Sequence, residues 1–556
     1  MSRLVAVDEV PAIAVAPRPV RIWNGVIVTA AAAVMTFAGW QHRWISDDGL
    51  IAVRTVRQLL AGNGPVFNVG ERVEASTSTL WTYLVAAVSW MSRVDVAAVS
   101  VLIGLACTVG AVVCAMSGTI RLHGESRRLL PAGVFVVLAV PPFWDFATSG
   151  LETGLTFLWI GLSWWLLVRA AYEGPVLSLV VVLGLAPLVR PELALALSVV
   201  FFSALLLMRR PGWRSAFRWS AIAIVLPVTY QIFRMGYYGL LMPNTALAKE
   251  AGSSRWARGL LYAGDTVLTY YLWVPLLVLI PLALWVGRQG RNVVLMVAPI
   301  TAGLVLLLYV VRVGGDFMHG RMMLPALLLL LLPVLVVPLS RLTVFPFAAV
   351  LLWAVFCAAL LRVPYEQKIG PDGIADERGF YVAWTRDPHP VTAGPYVRAK
   401  GNLHGLTDST GLLFVPGVEP VPLRTDQPAR LAVAEDVMGT AGAAYRLDDL
   451  VIDRLGLANA LGSHMELACN RRTGHEKPLP NAYVLADYMA PGTPLRDRRL
   501  QGEVERIRGE LATGPFRELL EASRAPLTAR RFWDNLAGAP ARTAFRFSVP
   551  NVTCPS

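Results

Sequence analysis

Charged residues are scarce in this chain. They make up 16% of the sequence, whereas hydrophobic residues make up 55%, and the mean hydropathy is +0.53. Because soluble globular domains carry about a quarter charged residues, this composition indicates a polytopic α-helical membrane protein. The formal net charge is +12, but the arginines lie at the ends of apolar segments, where they set membrane topology. This placement argues against a nucleic-acid partner.

Cysteine is also scarce, and neither an internal repeat nor a Walker-type phosphate loop is present. Cys107, Cys114 and Cys357 lie in apolar runs, and no cysteine pair has metal-ligand spacing, which argues against a zinc site. The missing phosphate loop argues against a nucleotide-driven step. The sequence therefore requires no cofactor, although the carboxylates described below would accept a divalent cation.

Long apolar runs, by contrast, are abundant. A helix needs about 20 residues to cross a hydrocarbon core, and most of the runs approach that length. Arginine-rich connections alternate with acidic ones, so the positive-inside rule places the former in the cytoplasm and the chain after the last run outside. We expect eleven transmembrane helices near 23–40, 95–120, 129–143, 151–168, 174–189, 193–208, 219–236, 270–287, 292–311, 322–340 and 343–361.

The stretch SDDGLIAVR, residues 46–54, begins a predicted helix in the first external connection. Apolar residues from Leu50 to Leu60 recur at helical spacing, and the segment is too short to span, so we expect it to lie along the outer surface. Ser46 is a suitable N-cap, which places Asp47 and Asp48 in the first turn. These two acids would do chemistry, bind a cation or simply cap the helix.

Further charged and polar residues lie in the outer connections. The cations break the positive-inside trend, and most lie within a few residues of an acid, which indicates a bound anion such as a phosphate. Interfacial snorkelling is the alternative for any single cation, and a structural histidine is the alternative for His319. The acids and polar residues are Glu74, Glu152, Glu192, Asn244, Asp316 and His319, and the cations are Arg54, Arg190, Lys249, Arg312 and Arg321.

One long stretch carries a family resemblance. ISDDGLIAVRTVRQLLAGNGPVFNVGERVEASTSTLWTYL resembles the first external loop of the AftB family, actinobacterial arabinofuranosyltransferases of the polyprenyl-phosphate-sugar-dependent GT-C type. ATSGLETGL, RPE, YYGLLMPNTALAK and GGDFMHGRMMLP in the membrane part are also similar, and RTGHEKPLP near the C-terminus is more loosely so. The likeness covers most of the chain.

The resemblance implies a membrane glycosyltransferase at the periplasmic face of the plasma (inner) membrane. It would move D-arabinofuranose from decaprenyl-phosphate-arabinose to the ends of arabinan in arabinogalactan and lipoarabinomannan, in β-1,2 linkage. Asp47 matches the family's general base, and Asp48 stands beside it. If donor and product are both β-linked, Asp47 would instead be a nucleophile or stabilise an oxocarbenium-like centre.

The resemblance also implies roles for the other charged residues. The five outer cations would bind the donor phosphate, and Glu74, Glu152, Glu192, Asn244, Asp316 and His319 would bind sugar hydroxyls. The partners are thus the lipid-linked donor, the arabinan acceptor and the lipid bilayer.

Three parts make up the expected domain organisation. They are a cytoplasmic tail, 1–22, a GT-C transmembrane catalytic domain, 23–362, with its first external loop at 41–94, and a periplasmic C-terminal domain, 363–556. We expect the last part to be α+β or β-rich. It would bind carbohydrate or serve only as a lid.

Two further expectations follow from the outer location of the C-terminal part. That location permits a Cys469–Cys554 disulfide, with two free thiols as the alternative. A transferase with a different sugar, or a transporter of a lipid-linked sugar, are the alternative functions. Transporters place charges at the bilayer midplane and show paired broken helices, whereas the charges here cluster at one face, which favours the transferase.

Overall fold

Helices dominate the first two thirds of the chain. The computed structural model describes residues 17–172, 174–289, 293–401, 409–469, 472–549 and 552, so most of the predicted N-terminal tail lies outside the described residues. The helices of this part are α1 Arg18–Gln41, α2 Asp47–Leu60, α3 Thr79–Ser92, α4 Val96–His123, α5 Val134–Ala139, α6 Pro141–Asp145, α7 Thr153–Ala171, α8 Val176–Val189, α9 Val200–Arg209, α10 Trp213–Tyr238, α11 Asn244–Ala248, α12 Trp256–Thr269, α13 Trp273–Gln289, α14 Val293–Arg312, α15 Met323–Leu331 and α16 Arg341–Leu360.

Six helices within the described ranges, α1, α4, α7, α10, α14 and α16, are long and apolar enough to cross a membrane. The pair α12–α13 adds a seventh if its 90° bend belongs to one span. The other predicted spans are shorter: α5 with α6, α8, the π-helix Ala194–Val199 with α9, and α15. The membrane character is confirmed, and the count of eleven spans stays a prediction.

The first external connection forms the helix that its pattern predicts. The Ser46 side chain caps α2 by accepting a hydrogen bond of 2.9 Å from the Gly49 amide. The helix ends at Leu60, and Gly62 follows with φ 84°, a conformation that favours glycine. Leu50 and Val53 pack in the core of the membrane part, while Arg54 is covered by the C-terminal part, so α2 lies between the two parts of the chain. Its expected position at the membrane surface stays a prediction.

The C-terminal part is a small mixed α/β unit. Its elements are α17 Glu377–Thr385, α18 Ala393–Lys400, β3 Leu412–Phe414, β4 Val421–Pro422, β5 Ala432–Glu435, α19 Met438–Ala444, β6 Leu450–Asp453, α20 Ala460–His464, α21 Asn481–Tyr488, α22 Arg498–Leu511, α23 Gly514–Arg524 and α24 Ala529–Ala544. The sheet has the order β4-β3-β5-β6, in which β3 pairs parallel with β5 and β5 with β6, while β4 is antiparallel to β3. The two remaining strands, β1 Leu129–Leu130 and β2 Val337–Pro338, pair with each other in the membrane part.

Helices therefore outweigh strands in this unit, and the β-rich alternative does not hold for the described residues. The strands have two to four residues each. In α22 the buried residues Val504, Ile507 and Leu511 recur at helical spacing. They form one apolar face, which is why this segment is a helix packed against its neighbours.

The two parts of the chain share a hydrophobic core. Val73, Leu240 and Leu247 from the outer connections of the membrane part are buried in the same cluster as Val504 and Ile507. Such shared burial fixes the C-terminal unit on one face of the membrane part, the face that carries the acidic connections.

Candidate active site

A cavity of about 340 Å³ lies where the outer connections meet the C-terminal unit. Its lining includes the apolar residues Ile51, Trp81, Leu151, Met242 and Met322. It also includes acids and bases in nearly equal number. We call this space the large cavity, and its ionisable residues within the described chain include Asp48, Glu152, Arg190, Glu192, Lys249, Asp316 and Arg321.

Each cation of the large cavity is paired with an acid. Arg190 bridges Glu152 and Glu192. Arg321 Nη2 lies 2.6 Å from Asp316 Oδ2, and its Nε donates to the same oxygen. The Arg321–Asp316 pair is buried and the Arg190 group is half-buried, so each arginine is neutralised at close range and an incoming anion would have to replace a carboxylate as its partner.

Lys249 is the most loosely held of these cations. Its Nζ lies 3.6 Å from Asp48 Oδ2, beyond ordinary hydrogen-bond distance, and 5.5 Å from the centre of the Phe317 ring. The ammonium group therefore keeps donors directed at the cavity. The prediction that outer acids and bases converge thus agrees with the structure for the residues that line this cavity.

The adjacent acids Asp47 and Asp48 have separate environments. Neighbours on a helix point about 100° apart, and only Asp48 of the two lines the large cavity. The Asp47 carboxylate instead accepts hydrogen bonds from the Gly439 amide at 3.0 Å, the Thr440 amide at 2.6 Å and Thr440 Oγ1 at 2.8 Å. The Asp47 carboxylate is therefore held by the C-terminal unit, and its role as general base stays a prediction.

The approach of the two parts at Asp47 is close enough to require glycine. A Cβ atom at Gly439 would lie 1.8 Å from the Asp47 carbonyl oxygen. Burial raises the pKa of the Asp47 carboxyl above its usual range, and the amides of Gly439 and Thr440 oppose that rise. Asp47 is thus a contact between domains that also fixes the first turn of α2, from which Asp48 projects.

Arg54 lies outside the large cavity, contrary to its expected role at the phosphate. It is buried, and all three guanidinium nitrogens donate to backbone carbonyls of the first external loop and of the C-terminal unit. With every donor position occupied, Arg54 has none left for a ligand. The acceptors are the carbonyl oxygens of Phe67 at 3.0 Å, Gly442 at 2.9 Å, Tyr445 at 3.2 Å, Arg446 at 3.1 Å and Asp449 at 2.8 Å.

Asn244 likewise joins the two parts of the chain. Its Nδ2 donates to the carbonyls of Gly456, at 2.7 Å, and of Leu457 and Asn459, while its Oδ1 accepts from Ser463 Oγ at 2.8 Å. The amide is fully buried and satisfied. Its expected role at a sugar is replaced by a structural one.

Glu74, Arg312 and His319 also lie outside the large cavity. Glu74 pairs with Arg234 at 2.6 Å, and Arg312 Nη2 donates to the Gly252 carbonyl at 3.3 Å. His319 Nδ1 contacts Asp265 Oδ2 and the Tyr365 hydroxyl, and its Nε2 contacts the Tyr270 hydroxyl at 3.0 Å. His319 also lines a separate cavity, of about 220 Å³, and its role at a sugar stays a prediction.

A second cavity, of about 110 Å³, adjoins Asp48 on the side of the C-terminal unit. We call it the small cavity, and it is lined by Asp47, Asp48, Glu377, Arg472 and their neighbours. Arg472 Nη2 lies 3.5 Å from Glu377 Oε2, and its guanidinium stacks 4.3 Å from the centre of the Phe317 ring. These contacts place two ionisable groups of the C-terminal unit beside the acid pair.

The sequence reasoning missed Glu377 and Arg472. Burial raises the pKa of the Glu377 carboxyl to about 8, and Arg472 opposes this rise. Arg472 and His475 belong to RTGHEKPLP, so the family-like stretch was a usable signal for them. Glu377 is preceded by no motif that distinguishes it from other acids of the C-terminal part.

The remaining expectations concern the disulfide and a cation. Cys469 is buried and disulfide-bonded, while its predicted partner Cys554 lies outside the described residues. Cys107, Cys114 and Cys357 are free, as their apolar surroundings indicate. Across the described ranges, no group of three or more His, Cys, Asp or Glu side chains is arranged to hold a metal ion.

Comparison with known proteins gives the family. Residues 422–543 match the AftB family C-terminal domain. The terminal beta-(1->2)-arabinofuranosyltransferase of Mycobacterium tuberculosis is 37% identical, with 95% of this chain and 96% of the relative covered. That of Corynebacterium glutamicum is 33% identical, with 92% and 85% covered. Similarity of this extent, together with a charged cavity at one face of an apolar helical domain, shows that the chain belongs to the AftB family of terminal β-(1→2)-arabinofuranosyltransferases.

Proposed function

We propose that the chain transfers arabinofuranose from a decaprenyl-phosphate donor to the ends of an arabinan acceptor, at the periplasmic face of the plasma membrane. The observation that carries this proposal is the position of Asp48. Among the described acids that line the two cavities, Asp48 alone lines both. A transferase needs such a group where the donor and acceptor meet, since the acceptor hydroxyl and the anomeric carbon must come within bonding reach of each other.

The large cavity suits a lipid-linked sugar phosphate. Its apolar lining residues, such as Met242 and Met322, would contact the first isoprenoid unit, and Lys249, Arg190 and Arg321 would bind the phosphate. Lys249 would make the first contact because its ammonium is not engaged at hydrogen-bond distance. Binding would draw the arginines partly away from Glu152, Glu192 and Asp316, whose carboxylates then accept hydrogen bonds from sugar hydroxyls.

The small cavity suits the acceptor sugar. Glu377, with its raised pKa, carries a proton at neutral pH and can both donate and accept hydrogen bonds, while Arg472 only donates. A polyol offers both kinds of partner. An acceptor bound there would present its terminal hydroxyl to Asp48, and the C-terminal unit would form part of the binding site as well as covering it.

Asp48 has one of two roles in the reaction. In either case the bond between the acceptor oxygen and C1 of arabinose forms, the bond between C1 and the phosphate oxygen breaks, and polyprenyl phosphate leaves. If the configuration at C1 inverts, Asp48 takes the acceptor proton as general base. If it is retained, Asp48 stabilises positive charge at C1 while the departing phosphate oxygen takes the proton.

A reconstituted transfer assay tests the proposal. The purified chain is given synthetic decaprenyl-phosphate-arabinose and a short arabinan acceptor, and the product is analysed by mass spectrometry and NMR. We expect one arabinose to be added in terminal β-(1→2) linkage, and the donor and product anomers together identify the stereochemical route. Absence of transfer, combined with movement of labelled lipid-sugar between leaflets of a vesicle, would replace the transferase with the transporter.

A further inference from the structure

Helix α24, Ala529–Ala544, has two faces of opposite character. One face is buried and includes Asn535, Ala539 and Arg542. The other face is exposed and carries the ion pair of Arg530 and Asp534, 3.9 Å apart, in its first turns. Along the same face, uncharged residues recur at helical spacing. These residues, which we call the exposed stripe, are Trp533, Ala537, Pro540, Ala541 and Ala544.

The buried face holds α24 against the outer end of α10 and the turn that follows it. Asn535 Nδ2 donates to the Gly236 carbonyl at 3.1 Å, and Arg542 Nε donates to the Gly239 carbonyl at 3.0 Å. The Phe532 ring covers Gly236 so closely that a Cβ atom there would lie 2.2 Å from the ring. The position of α24 relative to α10 is therefore fixed by packing and by hydrogen bonds.

Gly236 is the last member of a row that faces lipid. Val225, Val228 and Ile232 precede it at helical spacing on α10 and are 56%, 46% and 45% exposed. The most apolar 18-residue stretch of α10 is 0% buried against the rest of the described chain, as expected for a span surrounded by lipid. Because Phe532 covers the end of this row, α24 lies on the lipid-facing side of α10, and its exposed stripe points further outward.

We infer that α24 lies in the interfacial zone of the bilayer, in the leaflet on the cavity side, and that the occupant of its exposed stripe is the phospholipid surface. Trp533 is 63% exposed, and an amphipathic indole is typical of the boundary between head groups and acyl chains. The Arg530 side chain is 93% exposed and would reach lipid phosphates from the same side. Continuity with the lipid-facing row of α10 favours lipid over a protein partner.

This placement has a consequence for the large cavity. The turn held by α24 leads directly into Met242 and Pro243, which line that cavity. The Leu241 amide also donates to Thr543 Oγ1 at 2.8 Å, so the end of α24 and the start of the cavity wall are joined. A helix seated in the bilayer surface would thereby hold the cavity wall at the level where a lipid-linked substrate enters.

Site-directed spin labelling of the full chain in lipid nanodiscs tests the inference. Ala537→Cys places a nitroxide on the exposed stripe, and Glu503→Cys on the exposed side of α22 is the matched control; both are made after Cys107, Cys114 and Cys357 are replaced by alanine. We expect a several-fold higher ratio of oxygen to nickel-chelate accessibility at 537 than at 503, because oxygen concentrates in lipid and the chelate in water.

Two results would overturn the inference. Equal ratios at the two positions would place the stripe in water. Low access to both relaxants at 537, with dipolar broadening between labels, would show that a second copy of the chain covers the stripe. Trp533→Asp with the label at 537 gives an independent measurement, since a charge at the interface should shift the ratio towards that of the control.

Discussion

Two groups of cations near the contact between the membrane part and the C-terminal unit differ in the partners that hold them. Arg54 is bound by backbone carbonyls from both parts of the chain, whereas Arg190 and Arg321 are bound by carboxylate side chains that line a cavity. Carbonyls of a folded backbone stay in place, while side-chain carboxylates can rearrange when an anion enters. The type of partner, more than the type of residue, separates a structural cation from a binding one.

The same contrast divides the acid pair. Asp47 accepts from the amides of Gly439 and Thr440, whereas Asp48 has Lys249 as a neighbour at 3.6 Å. One residue along α2 is enough to move a carboxylate from the domain contact to the large cavity. Substitutions in each group test whether the type of partner decides the role.

The largest effect is expected for Arg54→Ala. It leaves several buried carbonyls without a donor, each at a cost of about 1–3 kcal/mol, so we expect a loss of folded protein or a strongly lowered melting temperature. Arg57→Ala, one turn later on the same helix and only half-buried, is the matched control and should melt nearly as the native chain. A stable Arg54→Ala variant whose donor KM alone is raised would restore the phosphate role.

A smaller effect, confined to the donor, is expected for Arg321→Ala. Loss of a charged hydrogen bond of about 1.5–3 kcal/mol should raise the donor KM by about 10- to 100-fold and leave the acceptor KM nearly unchanged. Arg312→Ala removes an arginine that lies outside the cavity and should leave both constants unchanged.

Loss of Arg321 also leaves Asp316 buried without its partner, which could lower stability independently of donor binding. The double variant Arg321→Ala/Asp316→Asn removes that unpaired charge and should keep the donor defect. A native donor KM in both variants would remove Arg321 from the phosphate site.

The pH dependence of stability gives a smaller and more specific effect at Glu377. Because its folded pKa, about 8, lies above the ordinary value of 4.5, the folded chain holds a proton there that the unfolded chain has released. This residue's contribution to stability is thus complete below the unfolded pKa and falls by about 1.4 kcal/mol per pH unit as the pH rises towards the folded pKa.

Glu377→Gln retains the neutral form and removes that slope. Melting temperatures measured between pH 5.5 and 8 should therefore fall more steeply for the native chain than for the variant. Asp448→Asn, an exposed position in the same unit, should reproduce the native slope. Parallel curves for the native chain and Glu377→Gln would mean that the Glu377 carboxylate is ionised throughout this range.

Local features of the fold could be predicted from the sequence. The Ser46 cap and the extent of α2 follow from side-chain type and helical spacing, and the structure confirms both. The burial of α2 could not be predicted, because the residues that cover it lie almost 400 positions later in the chain. The apolar spacing predicts which face of α2 is buried, but it does not predict which residues cover the helix.

The site shows the same limit. Convergence of Asp48, Lys249 and Arg190 on one cavity follows from the predicted topology, which places all three in connections on the same side of the membrane. The different roles of Asp47 and Arg54 depend on Gly439 and Gly442 of the C-terminal unit. No spacing within the first external loop carries information about those distant contacts.

The most direct test of this account compares Asp48→Asn with Asp47→Asn. Asparagine keeps the shape and the capping ability of aspartate while removing its charge and basicity. In the reconstituted assay with both substrates saturating, Asp48→Asn should lower the transfer rate by at least about two orders of magnitude with a native melting temperature. Asp47→Asn should chiefly lower the melting temperature, because its hydrogen bonds to the C-terminal unit are weakened. A native transfer rate in Asp48→Asn together with a native melting temperature and lost transfer in Asp47→Asn would contradict the account and return the catalytic role to Asp47.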